Sequence, residues 1–252
     1  MKPTHLSLFS GIGGLDLAAE MAGFSTVGQC EWADFPTKVL EKHWPDVPRW
    51  RDIHDLTGED FRTRTGLRTV DVISGGFPCQ PFSVAGKQAG KEDERYLFPE
   101  MLRIISELKP NYVVGENVPG ILQIAAEDVI KGLEHEGYRC VVFDYEAASA
   151  GAPHRRERVF FVAERSISDD AGTGLQGFDR IDKPEQEGLP RQGFYSTEIA
   201  ARGQTWGGTT EPELVRMVHG IPDRMDRIKA LGNAVVPAQA YPIFKAIAEV
   251  LM

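Results

Sequence analysis

The chain has few of the features that mark secreted, metal-bound or membrane proteins. It contains three cysteines among 252 residues, and no two of them form a CxxC pair, so neither a zinc site nor a disulfide framework is indicated. It also has no run of about 18 consecutive apolar residues, the length that crosses a bilayer, and no signal-peptide-like stretch after Met1. We therefore expect a cytoplasmic protein without a metal, and we expect a monomer.

The chain also lacks an excess of basic residues. Its formal net charge is −9 at pH 7, whereas domains that bind nucleic acid through their overall charge are usually basic. Apolar residues make up 42% of the chain and charged residues 26%, which is ordinary for a globular protein with a sizeable core. Any polyanion must therefore bind to a local basic patch.

Short apolar runs alternate with helical patterns between Thr4 and Glu164, which indicates βαβ units and a mainly parallel sheet of the α/β class. Strands are predicted at Thr4–Phe9, Ser25–Cys30, Val70–Ser74, Tyr112–Gly115, Tyr138–Tyr145 and Arg158–Ala163. Helices are predicted at Leu15–Ala22, Pro36–Lys42, Leu97–Leu108, Leu122–Glu134, Glu211–His219 and Pro237–Leu251.

The composition of the sequence changes after residue 164. Residues 165–208 are rich in glycine and poor in aliphatic side chains, so they cannot form a core of their own. The pattern divides the chain into a domain at 1–164, for which the motifs described below predict catalysis and cofactor binding, a small irregular lobe at 165–208, and C-terminal helices at 209–252 that return to the first domain.

A glycine-rich turn, Ser10–Gly14, joins the first strand to the first helix. Such a turn lets backbone N–H groups approach a nucleotide-like ligand, although the same turn also serves tight packing alone. Glu31 ends the second strand 20 residues after Gly11, where a carboxylate can accept both ribose hydroxyls. Trp32 offers a face for adenine, and Asp52 offers an acceptor for the adenine amino group. The alternative for Glu31 and Asp52 is a solvated carboxylate at the end of a strand.

Cys79 lies between Pro78 and Pro81 in a glycine-rich loop that follows a predicted strand. Ligands of open α/β sheets bind at this end of the strands, so Cys79 is a candidate nucleophile. The next strand ends in Glu116 and Asn117, beside this loop if the two strands are neighbours. Cys30 and Cys140 fall inside strands, where a cysteine behaves as a small apolar residue.

The strand near Arg158 begins with a cluster of basic residues. Alternation along an extended strand would place Arg156 and Arg158 on one face, toward the site, and Arg155 and Glu157 on the other. This set of groups suits methylation of cytosine at C5, because a thiolate that adds to C6 makes C5 nucleophilic while a carboxyl group supports N3 and an arginine supports O2. The base must leave the duplex stack before it can react.

Six segments resemble, in order, the motifs of the cytosine-C5 DNA methyltransferase family, in the form of its short phage and prophage members. They are Phe9–Gly14, Glu31–Trp32, Gly76–Ser83, Glu116–Val118, Arg156–Arg158 and Gly232–Pro237. The resemblance implies a Rossmann-like, class I methyltransferase fold, with a mainly parallel seven-stranded sheet, helices on both faces and a small target-recognition lobe. It also implies S-adenosylmethionine as methyl donor, S-adenosylhomocysteine as product and double-stranded DNA as substrate.

The resemblance implies a role for several side chains. Cys79 would be the nucleophile, Glu116 the partner of N3 and Arg158 the partner of O2, with Arg156 as an organiser or phosphate contact. The residues expected to bind the cofactor are Phe9, Ser10, Gly11, Gly13, Gly14, Leu15, Glu31, Trp32, Asp52, Ile53, Pro78, Leu97, Asn233, Ala234 and Val235. The residues expected to contact DNA are Gln80, Ser83, Lys87, Lys91, Arg95 and Arg155.

The sequence departs from the family pattern at His154, where many members have Gln, and at Ala234, where many have Ser. The recognition region is also shorter than in most bacterial members, which suits a restriction-modification or restriction-evasion role at a short target site. Two alternatives remain open: a tRNA cytosine-C5 methyltransferase of the same superfamily, and a silent partner that binds S-adenosylmethionine and DNA without turnover.

Overall fold

The computed structural model describes residues 2–78, 96–152, 156–166 and 224–252, and within these ranges seven strands form a single sheet. The strands are β1 (Thr4–Leu8), β2 (Ser25–Cys30), β3 (Arg49–Trp50), β4 (Val72–Gly75), β5 (Tyr112–Asn117), β6 (Tyr138–Glu146) and β7 (Glu157–Arg165). Their order across the sheet is β3-β2-β1-β4-β5-β7-β6.

The sheet is parallel except at β7, which runs antiparallel to both β5 and β6. The carboxyl ends of the parallel strands therefore meet at one edge, and the beginning of β7 joins them there. Asn117, the last residue of β5, pairs with Val159, so Arg158 lies at that same edge. The expectation of a mainly parallel, Rossmann-like sheet is confirmed.

Helices cover both faces of the sheet. In the described residues they are α1 (Gly14–Met21), α2 (Asp34–His43), α3 (Gly58–Thr65), α4 (Phe98–Leu108), α5 (Ile121–Ile124), α6 (Ala126–His135), α7 (Arg224–Asn233) and α8 (Pro237–Leu251), with a 3-10 turn at Ala147–Ala150. Strand β7 is apolar on both faces, because its side chains alternate between two apolar clusters, and each face is covered by helices. Phe161 packs in the cluster that contains α4 and α6, and Phe160 in the cluster that contains α1 and α8.

The observed elements differ from the predicted ones at several points. The predicted helix Leu122–Glu134 is two helices, because Ala125 (φ −142°) leaves the helical conformation between α5 and α6. Helix α3 was not predicted, since it is short, strongly polar and buries only Gly58 and Phe61. The predicted helix Glu211–His219 and the recognition lobe from residue 167 onward lie outside the described residues.

Candidate active site

The glycine-rich turn between β1 and α1 adopts a conformation that side chains would obstruct. Gly11 and Gly13 have positive φ angles of 55° and 87°, and Phe9 shares this region at 52°. A Cβ on Gly14 would lie 2.5 Å from the carbonyl oxygen of Val235, and a Cβ on Gly13 would lie 2.5 Å from the Trp44 ring. The turn is therefore held tightly between α2 on one side and the loop before α8 on the other.

Glu31 fixes the turn from the neighbouring strand. Its Oε2 accepts the N–H of Gly11 at 2.8 Å, and its Oε1 accepts the N–H of Ala33 at 2.9 Å. The Ser10 hydroxyl adds a hydrogen bond to the carbonyl of Ser7 at 3.1 Å. Each carboxylate oxygen of Glu31 has a second lone pair, so this carboxylate can accept further hydrogen bonds from a ligand.

A small pocket opens beside the turn, at the carboxyl edge of the sheet. Its lining comes from the start of the chain, the middle and the C-terminal part: Phe9, Ser10, Gly11, Gly14, Leu15, Gly76, Glu116, Asn233, Ala234 and Val235. Eight of these ten are residues that the sequence analysis expects to bind a cofactor. The structure thus brings together segments that are far apart along the chain.

Other described residues expected at the cofactor are not part of this lining. Trp32 follows β2 with 80% of its surface exposed. The Asp52 carboxylate accepts the N–H of His54 at 2.9 Å, and Ile53 is buried in the core. Leu97 precedes α4 and packs partly against the core.

Glu116 and Arg158 form an ion pair at the edge of the pocket. Arg158 Nε lies 2.8 Å from Glu116 Oε1, and the two side chains are only 12% and 9% exposed. Burial raises the pKa of the Glu116 carboxyl above its ordinary value, while the nearby Arg158 and Arg156 lower it to a lesser degree. A carboxyl group whose pKa is raised in this way can hold a proton closer to neutral pH than an exposed one.

Arg156 reaches the site by a different route from the one predicted. It precedes β7 and has a positive φ of 36°, so the alternation of an extended strand does not apply to it. Its Nη2 donates to the carbonyl of Gly232 at 2.7 Å and to that of Ala234. Arg156 therefore ties the start of β7 to the loop that lines the pocket.

Asn117 fixes the backbone that leads to the cysteine loop. Its Nδ2 donates to the carbonyl of Phe77 at 3.0 Å, and its Oδ1 accepts the N–H of Val118 at 2.9 Å. Because β4 and β5 are neighbours, Glu116 and Asn117 lie close to the start of this loop, as predicted. The described part of the loop ends at Pro78. Cys79, Gln80, Ser83, Lys87, Lys91, Arg95 and Arg155 lie outside the described residues.

The two other cysteines have the surroundings expected of apolar residues. Cys30 is buried and Cys140 is partly buried, and burial raises the pKa of each thiol to about 12. A thiol with such a pKa is almost fully protonated at neutral pH and is a poor nucleophile.

Two buried polar residues near the site were missed by the sequence analysis. Asp16, in the first turn of α1, accepts hydrogen bonds from Ser7 Oγ at 2.9 Å and Gln29 Nε2 at 2.8 Å, and burial raises its pKa to about 6. Gln239, in the first turn of α8, is also fully buried. Each occupies an inward position where the helical pattern otherwise has apolar residues, and that is the signal that could have revealed it.

The described part of the chain contains no group of three or more metal-ligating side chains placed to hold an ion. It likewise contains no helix that is long and apolar enough to span a membrane.

A family model described as C-5 cytosine-specific DNA methylase matches residues 4–194. Among curated proteins, the type II methyltransferase M.NgoFVII of Neisseria gonorrhoeae is 38% identical over 169 residues, which cover 65% of this chain and 44% of that protein. The type II methyltransferase M.AquIA of Picosynechococcus sp. is 33% identical over 181 residues, which cover 66% of this chain and 73% of that protein. The chain thus spans less than half the length of the first relative and about three quarters of the second.

Solved structures show the same fold. A triple mutant of Spodoptera frugiperda DNMT2 is 26% identical and superimposes with a TM-score of 0.57, over 72% of this chain and 54% of that one. Schizosaccharomyces pombe Dnmt2, at 23% identity and a TM-score of 0.55 over 68% of this chain and 53% of that one, shows likeness in the fold alone.

Proposed function

Because the chain belongs to the family of C-5 cytosine-specific DNA methylases, we propose that it transfers a methyl group to C5 of a cytosine in double-stranded DNA. The observation that carries the proposal is the buried Glu116–Arg158 pair, with Nε and Oε1 2.8 Å apart, at the edge of a pocket bounded by a glycine-rich turn. One carboxyl group and one guanidinium at this place suit a pyrimidine ring, which presents N3 and O2 side by side.

The pocket fits S-adenosylmethionine, the methyl donor of this chemistry. Gly11 and Gly14 in the pocket lining carry no side chain, so a ligand can approach the backbone there. The start of helix α1 favours the anionic carboxylate of an amino-acid moiety. Glu31 keeps acceptor capacity for ribose hydroxyls, and the exposed Trp32 offers an apolar face to a purine. When bound, the donor would supply an electrophilic methyl group.

We assign the reacting roles to three side chains. The Cys79 thiolate adds to C6 of the cytosine, which turns C5 into a nucleophilic carbon. Glu116, whose pKa is raised by burial, holds a proton at N3 as charge develops in the ring. Arg158 is bound to Glu116 through Nε, and its guanidinium has further N–H donors for O2. C5 then takes the methyl group that the bound donor would supply, and loss of the C5 proton to water, with breakage of the C6–S bond, restores the ring and frees the thiolate.

DNA contacts are proposed for the basic and polar residues of the cysteine loop and for Arg155. Gln80, Ser83, Lys87, Lys91 and Arg95 follow Cys79 closely in the sequence, so they would meet the strand that carries the target base. The base must be rotated out of the duplex to reach the thiolate. Residues 165–208 are proposed to select the target site, as part of restriction modification or restriction evasion.

The test is methylation mapping combined with covalent trapping. Bisulfite sequencing of DNA from cells that express the protein should show protected cytosines within one short sequence, and their absence from cells that express Cys79→Ser is the control. A duplex with 5-fluorocytosine at that site should form a covalent complex with the wild type, because fluorine cannot leave C5 as a proton does. Cys79→Ser should still bind S-adenosylmethionine but give no complex.

The same experiment separates the alternatives. Protected cytosines in tRNA and none in DNA would support the RNA methyltransferase. S-adenosylmethionine binding without methylation or trapping on either nucleic acid would support the silent partner. Substantial methyl transfer by Cys79→Ser would refute the role given to the thiol.

A further inference from the structure

Gln239 is a fully buried amide in the first turn of α8, on a helix that is otherwise apolar where it faces the core. Its Nε2 donates to two backbone carbonyls, that of Tyr145 at the end of β6 and that of Arg156, the latter at 3.1 Å. Its Oε1 is buried and has no hydrogen-bond partner among the described residues. An unpaired buried acceptor costs stability, so packing alone does not account for an amide here.

Arg156 is held by hydrogen bonds at both its backbone carbonyl and its guanidinium. The Arg156 carbonyl accepts from Gln239 and from the N–H of Ala147 at 3.3 Å. The guanidinium of the same residue donates to the carbonyls of Gly232 and Ala234. Arg156 is thus bound through its backbone to the first turn of α8, and through its side chain to the end of α7 and to the loop between α7 and α8.

This arrangement holds Arg156 in a conformation that it would otherwise leave. Its φ of 36° lies in the left-handed region, which is unfavourable for a residue with a long side chain. The Nε of its guanidinium is buried and has no hydrogen-bond partner in the part of the chain that the structure describes, so the position of the side chain also costs free energy. The hydrogen bond from Gln239 offsets part of this cost by fixing the Arg156 carbonyl.

We propose that Gln239 is a positioning residue for the donor pocket: by fixing the Arg156 backbone, it keeps the Arg156 side chain under the segment Gly232–Val235, which comprises the end of α7 and the start of the loop before α8. Three residues of this segment, Asn233, Ala234 and Val235, form part of the pocket wall. The carbonyl of Val235 also closes against Gly14. The inference rests on the proposed function, since it assigns S-adenosylmethionine as the ligand of this pocket.

The first test replaces Gln239 with methionine, which has nearly the same length but no donor. Isothermal titration with S-adenosylmethionine should show at least a tenfold loss of affinity for Gln239→Met. The matched control is Ile247→Val, a buried position two turns further along the same helix, which should lower the melting temperature without changing the affinity. Arg156→Met should lose affinity to a similar degree, and the double variant should lose little more, because the two residues act through one connection.

A second readout needs no ligand. Amide hydrogen exchange of the free protein should be faster in Gln239→Met than in the wild type at Ala147, whose N–H shares the Arg156 carbonyl, and at Ala234 in the pocket loop. In Ile247→Val, the exchange rates at Ala147 and Ala234 should change no more than the lower overall stability of that variant accounts for. Gln239→Asn, which keeps the amide but withdraws it by one methylene, should change exchange and affinity in the same direction and provides the test if Gln239→Met does not fold.

The outcomes are distinct. Wild-type affinity in Gln239→Met, or a loss no larger than that of Ile247→Val, overturns the proposal, and so do additive losses in the double variant. Unchanged exchange at Ala147 and Ala234 overturns it as well. A wild-type protein that does not bind S-adenosylmethionine refutes the proposed ligand instead, and the exchange rates then still decide whether Gln239 positions Arg156 and the loop.

Discussion

Gly14 is the position where the pocket leaves least room for a side chain, and Gly14→Ala therefore tests the assignment of the pocket directly. The added Cβ would lie 2.5 Å from the Val235 carbonyl oxygen, where real Cβ atoms essentially never come closer than 3.0 Å. The obstacle is backbone, so relief requires the loop before α8 to move as a unit. That movement would also carry the Ala234 carbonyl away from Arg156.

Two effects of different size are expected from this change. Overpacking at a tight contact costs about 1 to 3 kcal/mol of unfolding free energy. Displacement of the pocket wall should weaken S-adenosylmethionine binding by about 1.4 to 3 kcal/mol, or about ten- to hundredfold. Urea unfolding measures the first effect and isothermal titration the second, both on the intact protein.

Gly120→Ala is the matched control for this substitution. A Cβ on Gly120 would meet no atom of the described residues within 4 Å, and the residue has a helical φ of −56°, so alanine should fit without loss of stability or affinity. Wild-type donor affinity in Gly14→Ala would refute the reasoning, because it would mean that the loop before α8 is not a wall of the donor pocket.

Two further predictions concern carboxylates of the same region. Glu31→Ala should weaken S-adenosylmethionine binding by about 1 to 3 kcal/mol, because ribose hydroxyls and the Gly11 N–H lose their acceptor; equal affinity by titration would place the ribose elsewhere. Asp16→Asn should remove a pH dependence of stability, since the pKa of Asp16 is raised from 3.8 to about 6 in the folded protein. The folded state then holds this proton more tightly than the unfolded state, so the unfolding free energy should fall by about 3 kcal/mol in total as pH rises from about 3 to about 7. Urea titrations across this range should show a shallower fall in the variant, and an equal fall would contradict the assignment.

The sequence predicted the parts of the site that depend on local pattern. The glycine turn and Glu31 each follow a strand and Glu116 lies near the end of one. Parallel strands bring such positions to one edge, so their neighbourhood follows from chain order alone. Arg156 shows where this reasoning stops. The alternation rule presumes an extended backbone, whereas Arg156 has a positive φ that is fixed by partners more than 70 residues away.

Buried polar residues inside helices were the other omission, for a related reason. Asp16 and Gln239 occupy inward positions that a helical pattern assigns to apolar side chains. Their hydrogen-bond partners lie on other strands, Ser7 and Gln29 for the first and the ends of β6 and β7 for the second. Only the tertiary arrangement shows that these polar groups have partners, and therefore that they are tolerated in the core.

The pocket depends on the docking of α8, and this ties donor binding to global stability. Phe244 of α8 packs edge to face against His5 of β1 and against Phe24 before β2, while Asn233–Val235 complete the wall opposite the glycine turn. A chain in which α8 has come away therefore has no complete pocket, and a donor that binds only the docked form stabilises it by mass action. It follows that saturating S-adenosylmethionine should protect the amides of α8 and of the glycine turn together, rather than those of the turn alone.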